Sequence, residues 1–193
     1  MDFDSHSSDV VTQVLGLINA VTPGERRGRP MPAPEGSDLV RAVAGALAPA
    51  RAAEPPGEGE AVELAAWAGR LRGVVERVDA GEVDAACAEM NAILRASGAI
   101  PTLARHDGEA WHLHFHSADA SWAVGWAASM ATALAVVLGD AAIDRLGVCR
   151  APACDRVYVD VSRNGTRRFC STACQNRVKA ATFRARHTGS PTP

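Results

Sequence analysis

The chain has 193 residues, of which 47% are hydrophobic and only 5% aromatic, so it can bury a core and is not wholly disordered. The net charge of −2 hides a division along the chain. From Cys149 onward there are 9 basic and 2 acidic residues, a balance of +7, whereas residues 1–148 hold 11 basic and 20 acidic residues, a balance of −9. This asymmetry indicates two units with different roles, the second facing an anion.

Apolar residues recur at helical spacing through the first half of the chain. They predict helices over 8–21, 37–48, 60–79 and 82–97. Residues 22–37 and 49–60 are rich in proline and glycine, and we expect both to be loops.

A change of pattern follows at residue 100. Ile100–Arg105 and Ala110–His116 flank an Asp-Gly pair, which predicts a β-hairpin. Asp119 is expected to cap an alanine-rich helix that extends to Leu138. We expect Asp140–Leu146 to form a short turn or helix. We expect Trp111, Trp122 and Trp126 to anchor the core.

Residues 120–139 carry no charge and are about long enough to span a bilayer. Small residues dominate them, however, and no Lys/Arg cluster flanks them, which favours a buried core helix. The acidic N-terminus lacks the basic start of a secretory signal. We therefore expect a cytoplasmic protein without a membrane partner.

His112, His114 and His116 alternate along the second strand of the predicted hairpin and share one face of it. Three imidazoles could bind a metal ion, so a metal-dependent hydrolase is one alternative. Same-face positions are about 7 Å apart, which is awkward for one ion, and a polar outer face opposite Leu113 and Phe115 is favoured. Because no Ser-His-Asp order, P-loop or dinucleotide fingerprint is present, we expect no enzyme.

Four of the five cysteines form two close pairs separated by fifteen residues, namely Cys149, Cys154, Cys170 and Cys174. Such pairs suit one structural Zn²⁺ with four sulfur ligands. Ser171 is a natural N-cap for a helix on which Cys170 and Cys174 share a face. The alternative is a set of reduced core thiols or a redox pair. The remaining cysteine, Cys87, lies on an apolar helical face and is expected to be a buried spectator thiol.

The segment Asp160–Cys170, followed by Cys174-Gln175-Asn176-Arg177, resembles the CGNR zinc-finger family, which is named for a Cys-Gly-Asn-Arg run at its last zinc ligand. The four clustered cysteines correspond to the ligands of that family, and Gln175 stands where the family has glycine. The preceding chain resembles the helical ABATE domain, through Leu17-Ile18-Asn19 and through the hairpin around Trp111–Phe115. The resemblance implies a stress-linked, DNA-binding transcriptional regulator.

These observations predict a mainly α protein in two parts. Residues 1–145 form a helical, ABATE-like domain with one β-hairpin. Residues 146–188 form a small treble-clef-like zinc module, a knuckle plus a helix, and residues 189–193 form a disordered tail.

The basic module is predicted to contact DNA. The candidate contact residues are Arg163, Asn164, Arg167, Arg168, Asn176, Arg177, Lys179 and Arg184. On the last helix, one stripe is expected to hold Arg177, Ala180, Arg184 and His187. The alternatives are a solvated basic face, a face docked on the acidic domain, or a zinc-stapled protein-interaction module. An effector pocket around Asn19, Trp122 and Trp126 and a homodimer are also left open.

Overall fold

The computed structural model describes residues 5–47, 55–105, 110–117, 119–140 and 143–188. The predicted tail, 189–193, lies outside the described residues. The described helices are α1 Ser5–Val21, α2 Gly36–Leu47, α3 Glu58–Asp79, α4 Val83–Ala96, α5 Trp122–Leu138 and α6 Thr172–Thr188. Three antiparallel hairpins join β1 Gly24–Arg26 to β2 Arg29–Met31, β3 Thr102–Ala104 to β4 His112–His114, and β5 Leu146–Val148 to β6 Val157–Val159. The mainly α architecture predicted from the sequence is confirmed.

Helix α5 is the alanine-rich helix expected at the centre of the core. Ala127, Ala131 and Leu134 along it are fully buried, so small side chains let the neighbouring helices α3 and α4 approach closely. Its N-cap is Ser121, whose hydroxyl accepts a hydrogen bond from the Val124 amide at 3.3 Å. The prediction of Asp119 as the cap is therefore wrong by two residues. Among the described helices, none is both long and apolar enough to cross a bilayer.

The segment 22–37 is not merely a loop, because it contains the β1–β2 hairpin. Arg27 and Gly28 form its turn with φ of 54° and 88°. The hairpin contacts the cysteine-rich part of the chain, where the Gly28 amide donates to the Ala153 carbonyl at 2.8 Å and the Asp155 amide to the Glu25 carbonyl at 3.1 Å. Sequence reasoning missed it because each strand has only three residues and β2 contains a proline.

The predicted β3–β4 hairpin is confirmed, with Leu103 opposite Leu113, but its orientation is the reverse of the expected one. Leu103 is 65% exposed, Leu113 51% and Trp111 64%, so Trp111 is not a core anchor. The Arg105 guanidinium lies 5.7 Å from the centroid of the Trp111 ring, an exposed cation–π contact. The histidine face is turned toward the body of the protein and is half-buried.

Trp122 and Trp126 are half-buried against the core, with ring centroids 6.1 Å apart. Asn19 on α1 lies at another contact, where its side-chain amide pairs with the backbone of Val157 on β6. That pairing uses both ends of the Asn19 amide. A ligand-binding role for Asn19, Trp122 and Trp126 stays a prediction.

The β5–β6 hairpin joins the two predicted units. Leu146, Val157 and Val159 are buried in the same hydrophobic core as α1 and α3. Arg156, which is only 1% exposed, donates to the carbonyls of Thr22 and Pro23 at 2.9 Å. The two units therefore share a core, and α6 is held in a fixed relation to the helical part of the chain.

Candidate metal centre and the basic surface around it

The first cysteine pair lies in the turn between β5 and β6. Cys149 directly follows β5, and its amide donates to the Arg156 carbonyl at 3.0 Å, which closes the turn. Ala153 has a φ of 51°, a conformation that brings the chain round sharply before Cys154. Both thiols are buried, so this turn forms the expected knuckle.

The second pair lies at the start of α6. Ser171 is the N-cap that the sequence predicted, and its hydroxyl accepts a hydrogen bond from the Cys174 amide at 3.3 Å. Cys170 immediately precedes the cap and Cys174 lies in the first turn. The cap therefore places both cysteines at the N-terminal end of α6.

The four sulfurs converge on one point. All four Sγ atoms lie within 4.8 Å of one another. The Cys154–Cys170 and Cys170–Cys174 distances are 3.8 Å, and the Cys174–Cys154 distance is 3.7 Å. Sulfurs bound about 2.3 Å from a tetrahedral zinc are about 3.8 Å apart, so the geometry fits one zinc ion. Four thiolates leave no position for water, and the site is structural.

The protein environment favours thiolates unevenly. Burial raises the pKa of Cys149 and Cys170. Burial acts in the same direction on Cys154, but backbone N–H groups of Arg27 and Arg156 donate to its sulfur and lower its pKa to about 7. One of these donors comes from the β1–β2 turn, so the N-terminal half of the chain helps to stabilise a zinc ligand.

Arg177 fastens α6 to the same turn. Its guanidinium donates to the Pro152 carbonyl in the knuckle and lies over Gly28, where a Cβ would be 2.6 Å from Nη1. Glycine is favoured at position 28 chiefly because its φ of 88° strains any residue with a side chain. The two glycines and three arginines in residues 24–29 were the signal available in the sequence, but they could not identify Arg177, 149 residues after Gly28, as the partner.

Arg167 also has an internal role. Its Nε donates to the Phe169 carbonyl at 2.9 Å and its Nη1 to the Val159 carbonyl at 3.1 Å. The guanidinium lies 5.4 Å from the centroid of the Tyr158 ring. These contacts brace the loop that leads to Cys170.

Asp160, only 5% exposed, organises the loop before it. Its carboxylate accepts hydrogen bonds from the Ser162 amide at 2.8 Å and the Arg167 amide at 2.6 Å. Burial acts to raise the pKa of Asp160, but these hydrogen bonds outweigh it, and the pKa lies below its usual range. The loop that carries Arg163 is therefore anchored by a carboxylate at its base.

The remaining candidate contact residues are exposed: Arg163, Asn164, Arg168, Asn176, Lys179 and Arg184. The predicted stripe that begins at Arg177 is not one solvent face, because Arg177 is turned toward the knuckle. Its other members, Ala180, Arg184 and His187, are exposed. A second exposed stripe of α6 contains Thr172, Gln175, Lys179 and Arg186, which recur at helical spacing. Arg177 faces inward because buried Cys174, one helical turn before it, lies on the inner face of α6.

Docking on the acidic helical part of the chain accounts for only some of the basic residues. Arg150 forms an ion pair with Asp79 on α3 at 2.9 Å, whereas Arg156 pairs with Asp155 of the finger itself, which also contacts Arg72 on α3. Across the part of the chain that the structure describes, no ion pair involves Arg163, Arg168, Lys179 or Arg186. These four charges face solvent.

A cleft of about 560 Å³ opens beside the metal centre at the start of α6. It is lined by Ser162, Thr166, Arg167, Arg168, Phe169, Ser171, Thr172 and Gln175. Four of these residues carry hydroxyl groups, and Arg168 adds an exposed positive charge. Hydroxyl and guanidinium donors at a helix N-terminus suit a phosphate group.

Two family models match the chain. The ABATE model, described as "Putative stress-induced transcription regulator", matches residues 13–147. The chain belongs to the ABATE family. The CGNR zinc-finger model matches residues 145–187 of this ABATE protein and contains all four clustered cysteines. A search of curated proteins finds no match. The matches confirm both resemblances and place the metal centre in the CGNR finger.

Proposed function

We propose that this ABATE-family protein is a DNA-binding transcriptional regulator whose zinc finger contacts the phosphate backbone. The observation that carries the proposal is the cleft at the N-terminus of α6 and the exposed charges that continue from it. Lys179 and Arg186 lie on the same stripe of α6 as the cleft residues Thr172 and Gln175. A strand of phosphates that enters the cleft beside Arg168 would therefore meet further positive charges along the helix.

Charge supports the same interpretation. The segment from Cys149 onward has a balance of +7, and four thiolates with one Zn²⁺ contribute about −2, which leaves the metallated module near +5. Its basic residues are mostly arginine, which binds phosphate and guanine in a bidentate manner. The second half of α6 is exposed on all sides, as a helix that enters a groove must be.

The experiment measures binding of tag-free, zinc-loaded protein to random-sequence duplex DNA by fluorescence anisotropy across a series of salt concentrations. Contact with about five phosphates predicts a slope of log K against log salt near −4.5. Arg168→Ala and Lys179→Ala should each weaken binding and make the slope shallower by about one unit. Arg95→Ala, which removes an exposed arginine from α4, is the matched control. A salt-independent signal, or equal losses in the control, would contradict the proposal.

Arg167→Ala separates a structural role from a contact role. Because the Arg167 guanidinium is bound to internal carbonyls, this variant should lose stability, whereas the neighbouring Arg168→Ala should lose DNA affinity at unchanged stability. The reverse pattern would place the phosphate contact at Arg167. The roles of Asn164, Asn176 and Arg184 are proposed on exposure alone.

A protein-interaction module is the second candidate function, because two large apolar side chains of the finger face solvent. Phe183 on α6 is 62% exposed and Val161 is 59% exposed. If a protein is the partner, Phe183→Ala should abolish binding of that partner. In that case the wild-type protein should bind DNA no more tightly than Lys179→Ala does. We retain as proposals a cytoplasmic location, a small-molecule effector and a homodimer.

A further inference from the structure

The tip of the β1–β2 hairpin is a cluster of arginines that lies outside the zinc finger. Arg26, Arg27 and Arg29 form this cluster, and all three are exposed. Among the described residues, none of the three takes part in an ion pair. Residues 1–148 have a balance of −9, yet the hairpin has three arginines and one glutamate. The acidic half of the chain therefore presents a local positive surface at this turn.

Local energetics do not explain arginine at these positions. Arg27 and Gly28 have φ of 54° and 88°, positive at both central positions as in a type I′ turn, which favours Asn-Gly or Gly-Gly. Arg26 and Arg29 lie directly opposite each other on the paired strands, where like charges are destabilising. Unfavourable backbone conformations concentrate at binding sites, and an anion at this tip would relieve the repulsion.

The turn is fastened to the zinc finger. The Gly28 amide donates to the Ala153 carbonyl at 2.8 Å, and the Arg27 amide donates to the sulfur of Cys154. Gly28 also packs against the guanidinium of Arg177 on α6. These contacts hold the arginines of the tip beside α6.

The turn and the cleft lie on opposite sides of α6. Arg177 contacts the turn, whereas Lys179 lies on the stripe that continues from the cleft residues Thr172 and Gln175. Two residues apart on a helix correspond to a rotation of about 200° around its axis. Positive charge therefore flanks α6 on both sides.

Duplex DNA offers phosphates in a matching arrangement. An α-helix with its side chains is about 10–12 Å across, and the major groove of B-DNA is about 12 Å wide. A helix that lies in this groove has one phosphate backbone on each side. The two charged flanks of α6 fit these two backbones.

We propose that Arg26, Arg27 and Arg29 bind the phosphate backbone of one strand of duplex DNA while Arg168 and Lys179 bind that of the other strand. The inference rests on the proposed DNA-binding function and adds a contact from the part of the chain that the ABATE model matches. A single strand would occupy the cleft alone, so the turn should contribute to the binding of duplex DNA only.

The test measures binding of tag-free, zinc-loaded full-length protein to a random-sequence duplex and to single strands of the same length, by fluorescence anisotropy across a salt series. Arg27→Asn and Arg29→Gln should each weaken duplex binding by about five- to tenfold near 0.1 M salt and make the salt slope shallower by about one unit. Binding of the single strand should be unchanged in both variants. Arg168→Ala should weaken both kinds of binding, and Arg95→Gln on α4 is the matched control that should weaken neither.

Arg27→Asn also separates a binding role from a structural one. Asparagine suits a positive φ better than arginine does, and the backbone amide that donates to Cys154 remains. Zinc content and thermal stability should therefore not fall in this variant. A loss of zinc or of stability that accompanies the loss of affinity would show that the turn acts through the fold, which overturns the proposal.

The remaining outcomes distinguish this inference from the proposed function. If Arg168→Ala weakens duplex binding but both turn variants bind like wild type, the contact with the second strand is wrong and DNA binding by the finger stands. If the turn variants lose duplex and single-strand binding equally, the turn contacts the same strand as the cleft, and the two-strand arrangement is wrong. If wild type shows no salt-dependent binding to either DNA, the proposed function itself fails.

Discussion

Asn19 and Val157, 138 residues apart, are joined by a two-way amide contact. Asn19 Nδ2 donates to the Val157 carbonyl at 2.8 Å, and Asn19 Oδ1 accepts from the Val157 amide at 2.9 Å. The Asn19 side chain thus forms with β6 the pair of hydrogen bonds that a neighbouring strand would form. The contact couples the helical part of the chain to the hairpin that carries the zinc knuckle.

Removal of this amide should destabilise the whole protein. Asn19→Ala leaves the amide and carbonyl of Val157 without their partner in a partly buried position, at a cost of about 1–3 kcal/mol. Urea denaturation with zinc present measures the change. Asn91→Ala on α4, where the side chain is exposed, should change the free energy of unfolding by less than about 0.5 kcal/mol. Equal effects of the two substitutions would show that the contact contributes nothing.

The buried carboxylate of Asp160 should make stability depend on pH. Its pKa in the folded protein lies below the usual range, so its stabilisation is present above the ordinary carboxyl pKa and is lost as the pH falls through the folded value. Between about pH 5 and pH 3, wild type should therefore lose stability more steeply than Asp160→Asn.

The same substitution should cost about 1–3 kcal/mol at pH 7, because one carboxylate oxygen that accepts a backbone N–H is replaced by a donor. Both proteins carry the same four zinc ligands, so the difference between their curves reports on Asp160. Asp144→Asn, an exposed carboxylate, is the control and should follow the wild-type curve. Parallel curves for wild type and Asp160→Asn would refute this prediction.

The turn of the β1–β2 hairpin should control how firmly zinc is held. Gly28→Ala imposes a side chain at a φ of 88° and pushes it into Arg177 Nη1, at a cost of at least about 1–2 kcal/mol. Zinc transfer to a chromogenic chelator should be faster than in wild type. Gly45→Ala in α2 has no atom within 4 Å of the new Cβ and should leave the rate unchanged while raising stability by about 0.5–1 kcal/mol. An unchanged transfer rate in Gly28→Ala would show that the β1–β2 turn does not stabilise the zinc site.

The sequence predicted the features that depend on local patterns. Helical spacing located α1 to α5 within a few residues, and the cysteine spacing with Ser171 located the metal centre and the start of α6. It did not predict which face of β4 is buried, because alternation defines two faces without saying which one packs inward. It also missed the role of Arg177, since an arginine next to a zinc ligand looks the same whether it faces DNA or a carbonyl of the knuckle.

The most direct test of the account is the metal content of the purified, tag-free protein. We expect one zinc per chain, lost in Cys174→Ser but retained in Cys87→Ser, whose thiol on α4 lies outside the cluster. Chelation should remove the helical signal of α6, because zinc supplies on the order of 10 kcal/mol to a module with few buried apolar side chains. A folded, zinc-free protein, or full zinc occupancy in Cys174→Ser, would contradict the account.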